Sequence, residues 1–182
     1  VKLDRKQPET VQTFQEYMAQ RLPQSLVDSG KAMLNQNRAI LEEVGREFGV
    51  QPRFIVALWG VETRYGKYTG GFSVIDALTT LAYDNRRAEY FRKELLLALK
   101  ILDDNHIALA DMKGSWAGAM GQSQFMPSSF VNFAIDYDED GRRDIWTTKA
   151  DVFASAANYL SKSGWQGDQT WGREVTLPKN FD

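Results

Sequence analysis

The chain contains no cysteine and a single histidine, His106, among 182 residues. The first absence excludes a disulfide framework, thiolate zinc sites and a cysteine nucleophile, while fitting a reducing or an oxidising compartment alike. The second leaves little material for a Ser/His/Asp triad or a histidine-rich metal centre. Beside Asp103 and Asp104, His106 reads as a cation near a helix end. A dominant charge sign is also missing: 22 basic residues face 24 acidic ones, and no run of five like charges occurs. Nucleic acid is therefore not an expected partner, because no basic field faces a phosphate backbone. The densest apolar run, Leu95-Leu96-Leu97-Ala98-Leu99, stops at Lys100, far short of the roughly 18 residues that span a bilayer. A soluble chain with no transmembrane segment is expected. The opening Val1-Lys2-Leu3-Asp4 lacks an initiator Met and any apolar leader, which reads as a signal segment already removed.

What is present is bulky apolar material, with ten Phe, seven Tyr and five Trp inside a 43% hydrophobic composition. A chain of this size buries roughly two thirds of its unfolded surface, so one globular domain is expected and disorder is excluded. Helical spacing dominates. Residues 35–48 place Ile40, Leu41, Val44 and Phe48 on one face before Gly49, which suits a left-handed cap. Pro52 suits a first helical turn, and the stripe over 54–64 stops at Gly66. Ser73 with Asp76 opens a helix through Tyr83, and 86–104 repeats apolar positions at Tyr90, Phe91, Leu95, Leu99 and Leu102. Further helices are expected over 127–135 and 150–163, with a loop or a closely packed helix start at 114–121 and a polar turn region at 136–148. Only Glu174-Val175-Thr176-Leu177 alternates as a strand does. It has no partner segment, so the sequence implies a sheet continuing past Asp182. No internal repeat or Pro/Gly/Ser-rich linker interrupts the chain.

Two constellations carry chemistry. Glu62 shares a helical face with Ile55, Leu58, Trp59 and Tyr65, so its carboxyl occupies a slot expected to be apolar. Desolvation there raises a carboxyl pKa and makes a general acid of the kind glycosidic cleavage needs. An ion pair with Arg46, Arg53 or Arg64 at the helix surface is the plainer alternative. In the second, Asp136, Asp138 and Asp140 stand at positions one, three and five of a loop with Gly141 at six, the opening of an EF-hand. Arg142 would offer its backbone carbonyl, but Thr147 stands where a closing Glu belongs. Asp151 closes the site in a longer loop, or else forms a capping box with Thr148. A solvated acidic turn needs no metal at all. Trp116, Met120, Phe125, Gln122 and Gln124 mix apolar faces with amides, as a sugar cleft does; core packing explains the first three equally well.

Four stretches resemble one family: Gly60-Val-Glu62-Thr-Arg-Tyr-Gly66; Asn85-Arg-Arg-Ala-Glu-Tyr-Phe91; Gly114-Ser-Trp-Ala-Gly-Ala-Met-Gly121 with Gln124-Phe-Met-Pro-Ser-Ser129; and Asp136-Tyr-Asp-Glu-Asp-Gly-Arg-Arg-Asp-Ile-Trp146. In order and over most of the chain, they resemble the membrane-bound lytic transglycosylase B family. The resemblance implies a mainly α, lysozyme-like helical domain over 1–170 with an EF-hand-like calcium loop at 136–151, and the start of a small β region at 171–182. It implies action on bacterial peptidoglycan in the periplasm. Glu62 would protonate the bond between N-acetylmuramic acid and N-acetylglucosamine, then help deprotonate the muramyl C6 hydroxyl, leaving a 1,6-anhydro sugar without consuming water. By position, Ser115, Gln124, Arg86, Arg87, Tyr90 and Tyr159 become substrate-binding residues, with Tyr17 outside the motifs. A structural Ca2+ would sit on Asp136, Asp138, Asp140, Arg142 and Asp151, with Asp144 nearby. This sequence departs from the pattern in lacking the family's later β region and Tyr-Asn segment. A hydrolytic muramidase using Glu62 and water, and a calcium-stabilised glycan-binding module without turnover, are the rival readings; product analysis separates them.

Overall fold

A computed structural model describes residues 12–169, 172 and 174–181. Among them the chain forms eight helices: α1 (Phe14–Arg21), α2 (Gln24–Gln36), α3 (Arg38–Phe48), α4 (Pro52–Thr63), α5 (Val74–Tyr83), α6 (Ala88–Asp103), α7 (Pro127–Phe133) and α8 (Lys149–Lys162). Two short strands, β1 (Phe72–Ser73) and β2 (Lys113–Gly114), pair antiparallel with Phe72 opposite Gly114.

Local signals account for most of these boundaries. Gly49 ends α3 in the left-handed region at φ 69°, and the Ser73 hydroxyl accepts from the Asp76 amide at the start of α5, both as expected. α6 begins at Ala88 rather than at 86 because Arg87 is itself left-handed, at φ 57°. The helix expected over 35–48 belongs to two elements instead. Asn37 breaks it: its side-chain amide donates to the Met33 carbonyl at 2.8 Å and takes over the turn. The sequence reading passed over α1, which carries little apolar periodicity, and most of α2, which places Leu26, Met33 and Leu34 at helical spacing. α1 buries no residue and starts from a capping box between Thr13 and Glu16.

The core has two parts joined by α8. One gathers Leu78, Phe91, Ile101, Phe130 and Ile145 between α5, α6 and α7. The other gathers Leu41, Ile55, Trp59 and Phe153 between α3, α4 and α8. α8 is buried continuously from Asp151 to Asn158, so both polar and apolar flanks of this helix need partners. The Ser155 hydroxyl accepts from the Ile135 amide at 2.9 Å, and the Asn158 amide donates to the Phe133 carbonyl at 2.8 Å. On α6, buried Glu94 accepts from the amide and hydroxyl of Ser128 and so anchors α7.

Two expectations are corrected here. Residues 174–177 are irregular, with Val175 and Leu177 exposed; no described segment pairs with them, and a lone strand has nothing to satisfy its backbone groups. His106 is not a helix-end cation: its Nδ1 accepts from the Arg143 amide at 3.2 Å and its ring lies against Phe130. Burial, with Arg143 adding to it, pushes its pKa below the usual value and favours neutral imidazole.

The fold makes a direct stability prediction. Phe153 is fully buried and meets the Trp59 ring edge-on at 5.1 Å, so Phe153→Ala is expected to cost about 3–5 kcal/mol in urea unfolding. Tyr83→Ala, at a side chain 91% exposed, should stay within about 0.5 kcal/mol; comparable losses at both positions would refute this placement of the core.

Candidate active site and acidic loop

Glu62 lies in the last turn of α4. The buried side of that helix runs through Ile55, Val56, Trp59, Gly60 and Thr63, which corrects the expected apolar slot: Glu62 stands on the exposed flank, one position from the buried line. No hydrogen bond or ion pair holds its carboxyl among the described residues, so the pairing with Arg46, Arg53 or Arg64 is not formed. Protein packed alongside still desolvates the group and pushes its pKa above the usual carboxylate range. No charge among the described residues contributes to the shift.

After Thr63 the chain turns back through three consecutive left-handed residues, Arg64, Tyr65 and Gly66. Two contacts hold this costly turn. The Tyr65 hydroxyl donates to the Leu26 carbonyl at 2.7 Å, and the Gly66 amide donates to the Thr63 hydroxyl at 3.0 Å. Gly66 is obligatory for a second reason: a Cβ there would lie 2.3 Å from the Gln122 side-chain oxygen.

The 114–126 segment packs against this turn. Ser115 Oγ accepts from the amides of Ala117 and Ala119 at 3.2 and 3.0 Å, which leaves its hydroxyl proton available to a ligand or a carboxylate. Gln124, left-handed at φ 48°, donates its amide to the carbonyls of Thr69 and Gly121, so only its oxygen remains for a sugar. Tyr159 stacks on Phe125 and Phe133 from α8. Met120 and Phe125 are core residues, with Trp116 packed on them. Arg87 and Tyr90 form a separate group on the Phe91 ring, at 4.9 and 5.1 Å, with exposed Arg86 beside them. Tyr17 lies under Arg21 on α1, and no contact among the described residues joins it to the others. An apolar groove of about 250 Å³ opens on the other flank of α4, lined by Leu22, Leu26, Val27, Val56 and Val61, without Glu62.

In the acidic loop, carboxylate oxygens of Asp136, Asp138 and Asp151 lie within 4.8 Å of one another. Asp151 is fully buried. Its two oxygens accept from the amides of Tyr137 and Asp144, each at 2.7 Å, and the expected capping bond at Thr148 is absent. Burial raises the Asp151 pKa, the two amides oppose that, and the charges of Asp138 and Asp136 raise it further. Asp140 stands outside the focus because the Arg142 amide and guanidinium engage its carboxylate. Asp144 is likewise committed, to the amides of Trp146 and Thr147. Three convergent carboxylates, with no basic side chain paired to any of them among the described residues, form an all-oxygen donor set suited to a hard divalent ion.

The strongest connection in the region was read from the sequence as a sugar contact. Gln122 binds no open surface: Oε1 accepts from the Trp59 indole at 2.8 Å and Nε2 donates to the Trp146 carbonyl at 2.7 Å. No local pattern distinguishes such a glutamine from one facing a ligand.

The same helical fold occurs in known proteins. The family model described as "Transglycosylase SLT domain" matches residues 1–182, and the chain belongs to that family. It is 40% identical over 161 residues to membrane-bound lytic murein transglycosylase B of Escherichia coli (strain K12), covering 85% of this chain and 44% of that protein. SltB3 of Pseudomonas aeruginosa, solved in complex with NAG-NAM-pentapeptide, superimposes over 100% of this chain and 49% of its own at 46% identity and a TM-score of 0.94. The Escherichia coli lytic transglycosylase Slt35 in complex with calcium matches over 85% of this chain and 50% of its own, with 38% identity and a TM-score of 0.80. The chain thus spans about half the length of these relatives. No helix among the described residues is long and apolar enough to cross a membrane.

The sign of the Glu62 shift predicts a pH effect on stability. A raised carboxyl pKa means that the folded state disfavours the anion, so this residue's stabilisation is greatest below the ordinary glutamate pKa and falls as pH rises through the folded value. Glu62→Gln should therefore melt at or above the wild-type temperature at pH 7, with the difference vanishing near pH 3. A lower melting temperature at pH 7 in scanning calorimetry would contradict a desolvated carboxyl.

Proposed function

We propose that the chain is the catalytic part of a lytic transglycosylase that cleaves peptidoglycan glycan strands in the periplasm, with Glu62 as its acid and base. The observation that carries the reading is a carboxyl with no partner among the described residues and a raised pKa, in the last turn of a helix inside a family of transglycosylases. Protonated Glu62 donates to the oxygen linking N-acetylmuramic acid to N-acetylglucosamine, and the C1–O bond breaks. The resulting carboxylate then takes the C6 hydroxyl proton as O6 bonds to C1. The products are a 1,6-anhydromuramic end and a free N-acetylglucosamine 4-hydroxyl, and Glu62 is protonated again.

Two features favour this route over hydrolysis. A retaining glycosidase places a second carboxylate about 5–5.5 Å from the first, whereas no acidic group among the described residues contributes to the Glu62 shift. A hydroxyl on the same sugar also attacks with high effective molarity and needs no captured water. SltB3 has been solved in complex with NAG-anhNAM-pentapeptide as well, which accords with an anhydro product. Ser115 would present its free hydroxyl proton to Glu62, Gln124 its side-chain oxygen to a sugar, and Arg86, Arg87, Tyr90 and Tyr159 further contacts along the strand. Tyr17 would add one more from α1.

The acidic loop would hold a structural Ca2+ through Asp136, Asp138 and Asp151, with the Arg142 carbonyl and a rotated Asp140 as further ligands. The ion would offset the clustered negative charge and take no part in the acid–base cycle.

Glu62→Gln is expected to lower solubilisation of sacculi by about 10⁴-fold, the upper end of general acid–base contributions, with the circular dichroism spectrum unchanged. Products of the active enzyme should carry 1,6-anhydromuramic ends, about 18 Da lighter than hydrolysed ends because one water is not added. Wild-type turnover in the variant would remove Glu62 from the chemistry, and reducing muramic ends would make the enzyme a muramidase.

Calcium at about 100 times its Kd should add roughly 2.7 kcal/mol of stability. Melting curves recorded with calcium and with chelator should separate, and Asp138→Ala should merge them. Coincident wild-type curves would reduce the loop to an acidic turn.

A further inference from the structure

We infer that Gln122 is a positioning residue for Glu62, a brace that fixes the last turn of α4 against the 145–146 segment; the inference rests on the reading of Glu62 as the acid. Four hydrogen bonds define the brace. The Gln122 backbone donates to the Ile145 carbonyl at 2.8 Å and accepts from the Thr63 hydroxyl at 3.0 Å. Its side chain accepts from Trp59 Nε1 at 2.8 Å and donates to the Trp146 carbonyl at 2.7 Å. Trp59 lies three residues before Glu62 and Thr63 immediately after it, so the brace grips α4 on both sides of the carboxyl.

The need for a brace follows from what Glu62 lacks. No partner among the described residues orients its carboxyl, so its position depends on the backbone that carries it. That backbone is a helix end, where carbonyls lose their intrahelical donors and turns fray. The ground for the brace is firm. Asp144 caps the amides of Trp146 and Thr147, and its own amide is held by buried Asp151. A primary amide suits the role because it accepts at one end and donates at the other. With a tolerance near 1 Å, a misplaced catalytic group loses about 10²-fold in rate.

Two variants test the inference. Gln122→Met keeps the side chain's length and removes both amide bonds. In the folded variant, kcat on glycan strands should drop about 10-fold or more while KM stays within about twofold, as expected when a transition-state interaction alone is lost. Independently of turnover, carbon-13 NMR should show the Glu62 carboxyl titrating lower, by roughly half a unit, as the loosened helix end admits water. An unchanged Glu62 titration in folded Gln122→Met overturns the brace. If that variant does not fold, Trp59→Phe, which removes the indole donor, carries the test: a lowered titration supports the brace and an unchanged one overturns it. Failure of the catalytic reading is a separate result, seen as turnover persisting in Glu62→Gln, and the NMR titration does not depend on it.

Discussion

The side-chain amide of Gln122 is the contact on which the site's geometry depends. It joins α4, through Trp59, to the end of the acidic loop, through Trp146, and its backbone reaches Thr63 and Ile145. The two halves of the core meet at this residue: Met120 and Phe125 beside it belong to the α5–α6–α7 part, and Trp59 to the α3–α4–α8 part. Burying an amide is costly unless both ends are paired, and here both are. The arrangement is therefore directional as well as cohesive, fixing the helix end that carries Glu62 relative to the loop that carries Asp144.

α8 organises the acidic loop from below. Asp151 is buried because the helix that bears it is buried all round, and it remains tolerable because two backbone amides point at its oxygens. Those same bonds fold the loop over it, bringing Asp136 and Asp138 near. On the outer side, the Tyr137 hydroxyl lies within hydrogen-bond distance of Glu43 and Glu47, at 3.2 and 2.9 Å, tying the loop to α3. Burial and these two carboxylates push the phenol pKa up, so it stays a donor at any physiological pH. The carboxylates of Asp136 and Asp151 are thus held in place by hydrogen bonds from backbone amides.

The contrast between Glu62 and Glu94 shows how environment assigns roles. Both are helical glutamates. Glu94 is buried and accepts two hydrogen bonds from Ser128, which makes it a structural anchor for α7. Glu62 is accessible, has no such partner among the described residues and is desolvated by what stands beside it. Only a carboxyl of the second kind is free to exchange a proton with a ligand.

Much of this was legible in the sequence, because its causes are local. Gly49 ended α3 and Ser73 opened α5, each through a preference spanning a few residues, whereas the stripe read over α6 was off the buried face: Phe91, Glu94, Ala98 and Ile101 are buried, and Tyr90 and Leu99 are exposed. The motifs around Glu62 and Asp136 carried the family and hence the fold class. What the tertiary structure decided acts across long separations. Gln122 meets Trp59 at a distance of 63 residues and Trp146 at 24, and Asp151 meets Tyr137 at 14, so no spacing rule could reveal a brace where a sugar contact was expected. Asn37 divided a continuous stripe, and 174–177 formed no strand where alternation alone suggested one. Periodicity tells which face of an element is apolar; it cannot tell which distant polar group a glutamine or aspartate will meet, because that choice is made only when the packed elements fix their separation.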